Sequence, residues 1–227
     1  MLKKDIKAFF KAIRAGDFKT IEQSIALDHA YLAVTNFAPP KMDDGQSALQ
    51  VAFRAGQFEI CEFLIKKGAD VNFKESSVIN EWTAPMLHDC IRAVVFNCLT
   101  IQADQNKFEQ AFELLILLLK NGANPNATDS YGNNCLNRWC LDARQMIHHP
   151  NFNENEAIIN QLRRVSMALI NAGAYTIQSA ENRTNVIEQI KSYSMEKYNL
   201  LQSPPAANSG LTKLTGGLLN LFKSSKK

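Results

Sequence analysis

The sequence predicts an all-α protein built as a stack of helix-turn-helix units. Residues 45–72 hold two short apolar helical patterns separated by a glycine. Residues 14–18, RAGDF, repeat the arrangement of residues 54–58, RAGQF. A Gly-Ala pair also recurs, beginning at residues 68, 122 and 173. Because one such unit cannot bury its own apolar face, we expect neighbouring units to stack on both sides of it.

Residues 45–72 resemble the ankyrin repeat, whose pattern is G-x-T-P-L-H-x-A-x-x-x-G, an apolar helix, and then G-A-D-V-N. Ser47, Ala48 and Gln50 depart from the T-P-L-H tetrad, although Ser47 keeps a hydroxyl that can cap the first helix. The resemblance implies an ankyrin-repeat solenoid with short β-hairpin-like loops, and a protein-binding scaffold without catalysis. The matching residues are Gly45, Leu49, Ala52, Gly56, Ile60, Leu64, Ile65, Gly68, Ala69, Val71 and Asn72.

The chain divides into a repeat domain, a short linker and a basic tail. The linker and tail are separated from the domain by a change to Pro and small polar residues. The expected boundaries are a domain at 1–201, a linker at 202–210 and a tail at 211–227. Within the domain we expect a cap at 1–38, repeats near 43–74, 82–128 and 129–179, and a cap at 181–201.

The third and fourth repeats are longer than the second. Residues 94–107 hold the additional chain of the third repeat, and we expect an extended first helix followed by a turn at Asp104–Asn106. Residues 144–156 form the second insertion. Trp139 stands where the ankyrin pattern has Ala, which predicts a local rearrangement because a large side chain replaces a small one.

Composition and charge exclude several classes of protein. Apolar residues make up 46% of the chain, charged residues 21%, and the net charge of +3 is too small to indicate nucleic-acid binding. We expect no signal peptide, and the apolar run at 114–119 is much shorter than the ~20 residues that span a bilayer. The five cysteines are odd in number and lack C-x-x-C spacing, which favours a reducing, cytoplasmic location.

No catalytic motif is recognisable, so we predict neither an enzyme nor a cofactor. Phosphate-binding, nucleophile-elbow and zinc-protease patterns are all missing from the sequence. His148 and His149 with Cys140 are poor zinc ligands, because zinc sites use spaced pairs of ligands rather than adjacent histidines. His88 takes the L-H place of the ankyrin pattern, and the resemblance implies a structural imidazole there.

The tips of the hairpin-like loops are the first candidate binding site. In ankyrin arrays, residues before the hairpin glycine point outward, and here those positions hold Trp82 and Tyr131 in successive repeats. Trp and Tyr are enriched at interface hot spots. The alternative is that Trp82 folds under, against the first insertion. The candidate residues of the tips are Asp43, Asp44, Gln46, Glu81, Trp82, Ser130, Tyr131 and Asn133.

A stripe of arginines is the second candidate site. Aligned on the repeat glycines, Arg14, Arg54 and Arg92 occupy one position near the end of each first helix. Equivalent positions line up along the concave face of a stacked array, so three guanidinium groups in register would favour an acidic partner surface. The alternative is that these side chains are simply solvated.

The sequence therefore predicts a scaffold that binds another protein, inhibiting or recruiting it, and is a monomer when free. Three alternatives stay open: an immunity or antitoxin-type inhibitor, an effector that acts on host proteins, and a membrane-docked adaptor. The last would use the amphipathic tail, in which a helix-like spacing combines with basic residues. The tail residues concerned are Leu211, Leu214, Leu218, Phe222 and Lys223.

Overall fold

Antiparallel helix pairs stack side by side in the computed structural model, which describes residues 2–37, 39–98, 105–176 and 185–204. The helices pair as α1–α2, α3–α4, α5–α6 and α7–α8, and α9 packs against α7. Their bounds are α1 Lys3–Ala15, α2 Phe18–Leu27, α3 Ala48–Arg54, α4 Phe58–Lys66, α5 Met86–Cys98, α6 Gln105–Lys120, α7 Cys135–Ile147, α8 Glu156–Asn171 and α9 Val186–Ser192.

The first helices form one row, in which α1, α3, α5, α7 and α9 each contact the next. The second helices form another row, with α4 packed on both α2 and α6. Between α6 and α8, Arg164 donates to both carboxylate oxygens of Glu109 at 2.6 and 2.7 Å. Over the described residues, extended pairing is limited to two isolated bridges, Thr35–Ser47 and Lys74–Pro85. The fold is thus the all-α solenoid that the sequence predicts.

Both insertions lengthen helices. Helices α5 and α6 have 13 and 16 residues, against 7 and 9 for α3 and α4. The predicted extension of the first helix into residues 94–107 is confirmed up to Cys98, where α5 ends and the described residues stop. The predicted turn at Asp104–Asn106 is wrong, because α6 already begins at Gln105. Asp104 itself lies outside the described residues. In the second insertion α7 continues to Ile147 and α8 begins at Glu156.

Two of the local predictions concern single residues of the first helices. The capping role of Ser47 is confirmed: its Oγ accepts from the N–H of Gln50, whose Oε1 accepts from the N–H of Ser47, both at 3.2 Å. Trp139 is fully buried, yet α7 runs through it without a break. The predicted rearrangement is therefore not seen in the backbone of α7.

Two asparagines join successive helix pairs at the ends of the second helices. The amide of Asn72 donates to the carbonyl of Gly122 at 2.9 Å and accepts from the N–H of Asn124 at 2.7 Å. Asn126 makes the same two bonds one pair further on, to Gly173 and Tyr175, both at 2.8 Å. Each primary amide satisfies one carbonyl and one N–H of the next unit, and so fixes the register of stacking.

The predicted linker and tail lie mostly outside the described residues. The linker overlaps the described chain only at residues 202–204, and the predicted membrane contacts at Leu211, Leu214, Leu218, Phe222 and Lys223 lie outside the described residues. None of the described helices is both long and apolar enough to cross a membrane.

Gly45 allows two loops to approach each other, and this generates a prediction. Its φ is +77°, and an added Cβ would lie 2.0 Å from the carbonyl oxygen of Ser76. Gly56 has a similar φ of +69° but open space around it. We expect Gly56→Ala to lower the free energy of unfolding by about 1 kcal/mol and Gly45→Ala by about 3 kcal/mol, because only the latter adds a clash.

Urea unfolding of both variants measures the difference directly. Equal losses of stability in the two variants would contradict the close approach of the loops at Gly45.

Candidate functional site

Three loops lie side by side along one edge of the stack. We call residues 36–46 the first loop, 75–84 the second loop and 129–133 the third loop, and together the hairpin edge. In the first loop the N–H of Asn36 donates to Gln46 O and the N–H of Gly45 to Asn36 O, both at 2.8 Å. The second loop is closed by Glu75, whose carboxylate accepts from the N–H of Ala84 at 2.8 Å.

The first and second loops are joined by side chains. Gln46 Nε2 donates to Glu75 Oε2 at 2.8 Å, and Ser77 Oγ donates to Asp44 Oδ2 at 2.8 Å. Asn80 Nδ2 donates to the carbonyl of Lys41 at 3.0 Å. These hydrogen bonds connect the first loop to the second loop, so we expect the two loops to move together.

The second and third loops are joined in the same manner. The N–H of Ser130 donates to Thr83 O at 2.9 Å, and the N–H of Thr83 donates to Ser130 Oγ at 3.1 Å. The Ser130 hydroxyl in turn donates to the carbonyl of Glu81 at 3.3 Å. The Trp82 indole N–H donates to Asp129 Oδ2 at 3.1 Å.

The side chain of Trp82 therefore does not project as the sequence predicts. It is half-buried, bonded to Asp129 and lies under the guanidinium of Arg138, whose central carbon is 6.0 Å from the ring centroid. Trp82 joins the second loop to the third.

Other predicted tip residues are buried in the frame of the edge. Gln46 is fully buried, Asp43 is 5% exposed and Asn133 is 9% exposed. Asn133 is bonded through its backbone and side chain to the Asp129 carboxylate. Their expected outward orientation is wrong: Gln46 and Asn133 donate to carboxylates of the loops, and Asp43 accepts from Arg14 on α1. Asp44 is half-buried, whereas Glu81 and Ser130 are exposed.

A row of large apolar side chains is exposed along the hairpin edge. Tyr131 is 70% exposed, as its predicted outward position requires. Met42 is 59% exposed, Val78 100% and Ile79 52%, and the sequence interpretation missed all three. The adjacent pair Val78-Ile79 between polar residues was the available signal. Exposing a group of apolar side chains to water is unfavourable in free energy. A contiguous exposed group of them therefore marks an interaction site.

The three predicted arginines lie in register, but two of them bind the first loop. Arg14 forms an ion pair with Asp43 at 2.9 Å and also donates to the carbonyl of Pro39. Arg54 donates to the carbonyl of Met42 at 3.0 Å. Arg92 is exposed and lies over the ring of Phe96, 5.4 Å from its centroid. Of the three, only Arg92 is without an ion pair or hydrogen bond to the described chain.

Two carboxyl groups are buried beneath the arginines at the base of the second loop. Burial raises the pKa of Glu75, against the bonds from Gln46 and Ala84 that lower it. Burial, together with the charge of Glu75, raises the pKa of Asp89 to about 7. Gln50 Nε2 donates to Asp89 Oδ2 at 2.8 Å and holds the carboxyl in place.

The neighbouring His88 is buried as well, and its burial has the opposite consequence. Burial lowers the pKa of its imidazole to about 4, although the Asp129 carboxylate raises it. The ring is therefore neutral at physiological pH and faces the backbone of Ala127. Neither ring nitrogen has a hydrogen-bond partner at normal distance in the described chain, so the hydrogen bonds that the resemblance implies for this imidazole are not formed. In the described part of the chain, no group of His, Cys, Asp and Glu side chains is arranged to hold a metal ion.

Comparison with known proteins identifies the repeat. A family model for the ankyrin repeat matches residues 44–76, which span α3, α4 and the start of the second loop. This segment of the chain is therefore similar to an ankyrin repeat. No curated protein matches the sequence. Ankyrin repeats are general protein–protein interaction modules and are typically non-enzymatic. The ankyrin match thus covers the helices that carry the first and second loops.

The contrast between Trp82 and Tyr131 gives a prediction for stability. We expect Trp82→Ala to lower the free energy of unfolding by about 2 kcal/mol, because the indole packs against the third loop and bonds Asp129. Tyr131→Ala should change it by less than about 0.5 kcal/mol, because the ring faces water. Chemical denaturation measures both, and equal effects would contradict the different roles of the two rings.

The buried Asp89 gives a prediction for pH. Its carboxyl has a folded-state pKa of about 7 against an ordinary value of 3.8, so the folded state binds the proton more tightly. Stability from Asp89 is therefore present at low pH and lost as pH rises through 7, by up to about 4 kcal/mol. His88, whose pKa is depressed to about 4, has the opposite dependence between pH 6.5 and 4.

Asp89→Asn keeps an acceptor for Gln50 and removes the titration. We expect the stability of this variant, relative to the unmodified protein, to rise between pH 4 and about pH 7 and to stay constant above that. Thermal unfolding across this range measures the relative stability. A difference that does not change with pH would show that Asp89 does not titrate in this window.

Proposed function

We propose that this protein is a non-enzymatic scaffold that binds one protein partner through the hairpin edge and the concave face, and thereby inhibits or recruits it. The observation that carries the proposal is the exposed row of Met42, Val78, Ile79 and Tyr131 on loops that are bonded to one another. A fixed apolar surface loses little conformational entropy on binding, so more of its contact energy becomes affinity.

The order of the loops supports a single continuous binding surface. The first and second loops are joined through Asn80, and the second and third through Ser130. Tyr131, on the third loop, contributes an exposed aromatic ring beside the aliphatic pair of the second loop. Tyrosine with aliphatic neighbours is the composition of the energetically important centre of many interfaces.

We further propose that the protein acts in the cytoplasm and is a monomer when free. Supporting this, all five cysteines are buried and unpaired, and burial raises the pKa of each thiol. Thiols that are buried and protonated are inert toward one another, which suits a reducing compartment.

The test compares two variants with the unmodified protein. The edge variant carries Val78→Asp, Ile79→Asp and Tyr131→Ala. The control carries Leu27→Asp, which alters an equally exposed apolar residue, 86% accessible, at the end of α2. A protein captured from extracts by the unmodified chain is purified, and its Kd is measured for all three forms.

We expect the edge variant to bind at least about thirtyfold more weakly, the loss produced by ~2 kcal/mol at a hot spot, and the control to bind normally. Melting temperatures of the three forms establish that each one is folded. Unchanged affinity in a folded edge variant would refute binding through the hairpin edge.

A further inference from the structure

Two exposed arginines on the first helices α5 and α7 are held by aromatic rings and not by carboxylates. Arg92 on α5 lies over Phe96, and Arg144 on α7 lies over Tyr193 with its central carbon 4.5 Å from the ring centroid. Within the described chain neither guanidinium forms an ion pair. Stacking fixes the plane of a guanidinium and leaves its N–H groups free for an anion.

A cavity of about 460 Å³ opens in front of α7 and is lined by Arg144 but not by Arg92. No carboxylate lines it, and its only apolar wall is the side chain of Leu141. His148 is fixed at one end, with Nε2 3.2 Å from the carbonyl of Tyr193. The lining residues are Arg138, Leu141, Arg144, Gln145 and His148.

The acidic groups beneath this face do not cancel its charge. Arg138 donates through Nε to the fully buried Asp142 at 3.0 Å, so this guanidinium has a partner already. Asp142 also faces Arg92, and Asp89 faces both Arg54 and Arg92. Burial raises the pKa of Asp142 and Asp89 alike. Of the two arginines that line the cavity, Arg144 is the one without a carboxylate partner in the described chain.

We propose that this cationic face, defined by Arg92, Arg138, Arg144 and His148, binds an acidic peptide segment of the partner protein. Carboxylates of the segment pair with Arg92 and Arg144, and an apolar side chain of the same segment contacts Leu141. The proposal rests on the proposed scaffold function and adds the chemical class of the bound segment. It involves a surface of α5 and α7 that is separate from the exposed row of the hairpin edge.

Peptide is favoured over nucleic acid by the size and composition of the face. A cavity of 460 Å³ holds a few side chains, and the face is one stripe of α7 with a single neighbouring arginine on α5. A nucleic-acid site needs many phosphate contacts along an extended basic surface, and the net charge of the chain is only +3. The aromatic rings that could stack on bases are already covered by the two arginines.

The test uses the full chain and a defined probe. The probe is a short peptide with capped ends, rich in glutamate and with one central leucine. The test variant carries Arg92→Glu and Arg144→Glu. The control variant carries Lys19→Glu and Lys120→Glu, which change the net charge equally but lie on the second helices α2 and α6. A milder pair, Arg92→Gln and Arg144→Gln, serves if charge reversal prevents folding.

We expect the peptide to shift the NMR signals of the Arg92 and Arg144 side-chain N–H groups, and the test variant to bind at least about tenfold more weakly than the control. Equal weakening in test and control variants would overturn the proposal, because binding would then depend on net charge alone. Tighter binding of a single-stranded oligonucleotide at the same arginines would overturn it as well.

Failure of this site and failure of the scaffold are distinguishable. The edge variant described above leaves Arg92 and Arg144 intact. If the partner loses affinity for the edge variant but binds the Arg92→Glu and Arg144→Glu variant normally, only the proposal of the cationic face is refuted.

Discussion

The stacking of each helix pair on the next is the interaction on which the rest of the structure depends. Every first helix between α1 and α9 is packed on both sides, so its apolar residues are covered only when both neighbours are present. The asparagine bonds from Asn72 and Asn126 set how far each pair advances on its neighbour. That advance in turn decides which loop residues meet, and so creates the hairpin edge from segments far apart in sequence.

The burial of polar side chains, rather than apolar packing, determines which side chains of the hairpin edge stay exposed. Glu75 closes the second loop through Ala84 and receives Gln46 from the first loop. These charge-assisted bonds offset only part of its desolvation, since burial still raises the pKa of Glu75. Once the polar residues are turned inward, the apolar side chains of Val78 and Ile79 are the ones that face water. In the same way, Asp89 and Asp142 are buried beneath α5 and α7, whereas Arg92 and Arg144 of these helices stay exposed.

Sequence alone predicted what depends on local pattern. Glycine spacing and helical periodicity gave the helix pairs, and the hydroxyl of Ser47 predicted its cap, because these are governed by residues a few positions apart. The orientation of Trp82 was wrong because its partner, Asp129, is 47 residues away. Gln46 was misassigned for the same reason, since Glu75 lies 29 residues away. In the candidate site, the exposure of Tyr131 and the register of the arginines could be predicted from the sequence. The exposure of Val78 could not, because it depends on how the loops are arranged, and the stacking of Arg144 could not, because it depends on where the aromatic rings lie.

The central claim is that the hairpin edge is a rigid surface built by bonds between loops, and amide hydrogen exchange of the free protein tests it most directly. The N–H groups of Gly45, Ala84 and Ser130 each donate within or between the loops. We predict that they exchange with free energies within about 1 kcal/mol of global unfolding, while the amide of the fully exposed Val78 exchanges rapidly. Exchange of all four amides at rates near those of an unfolded chain would contradict the claim.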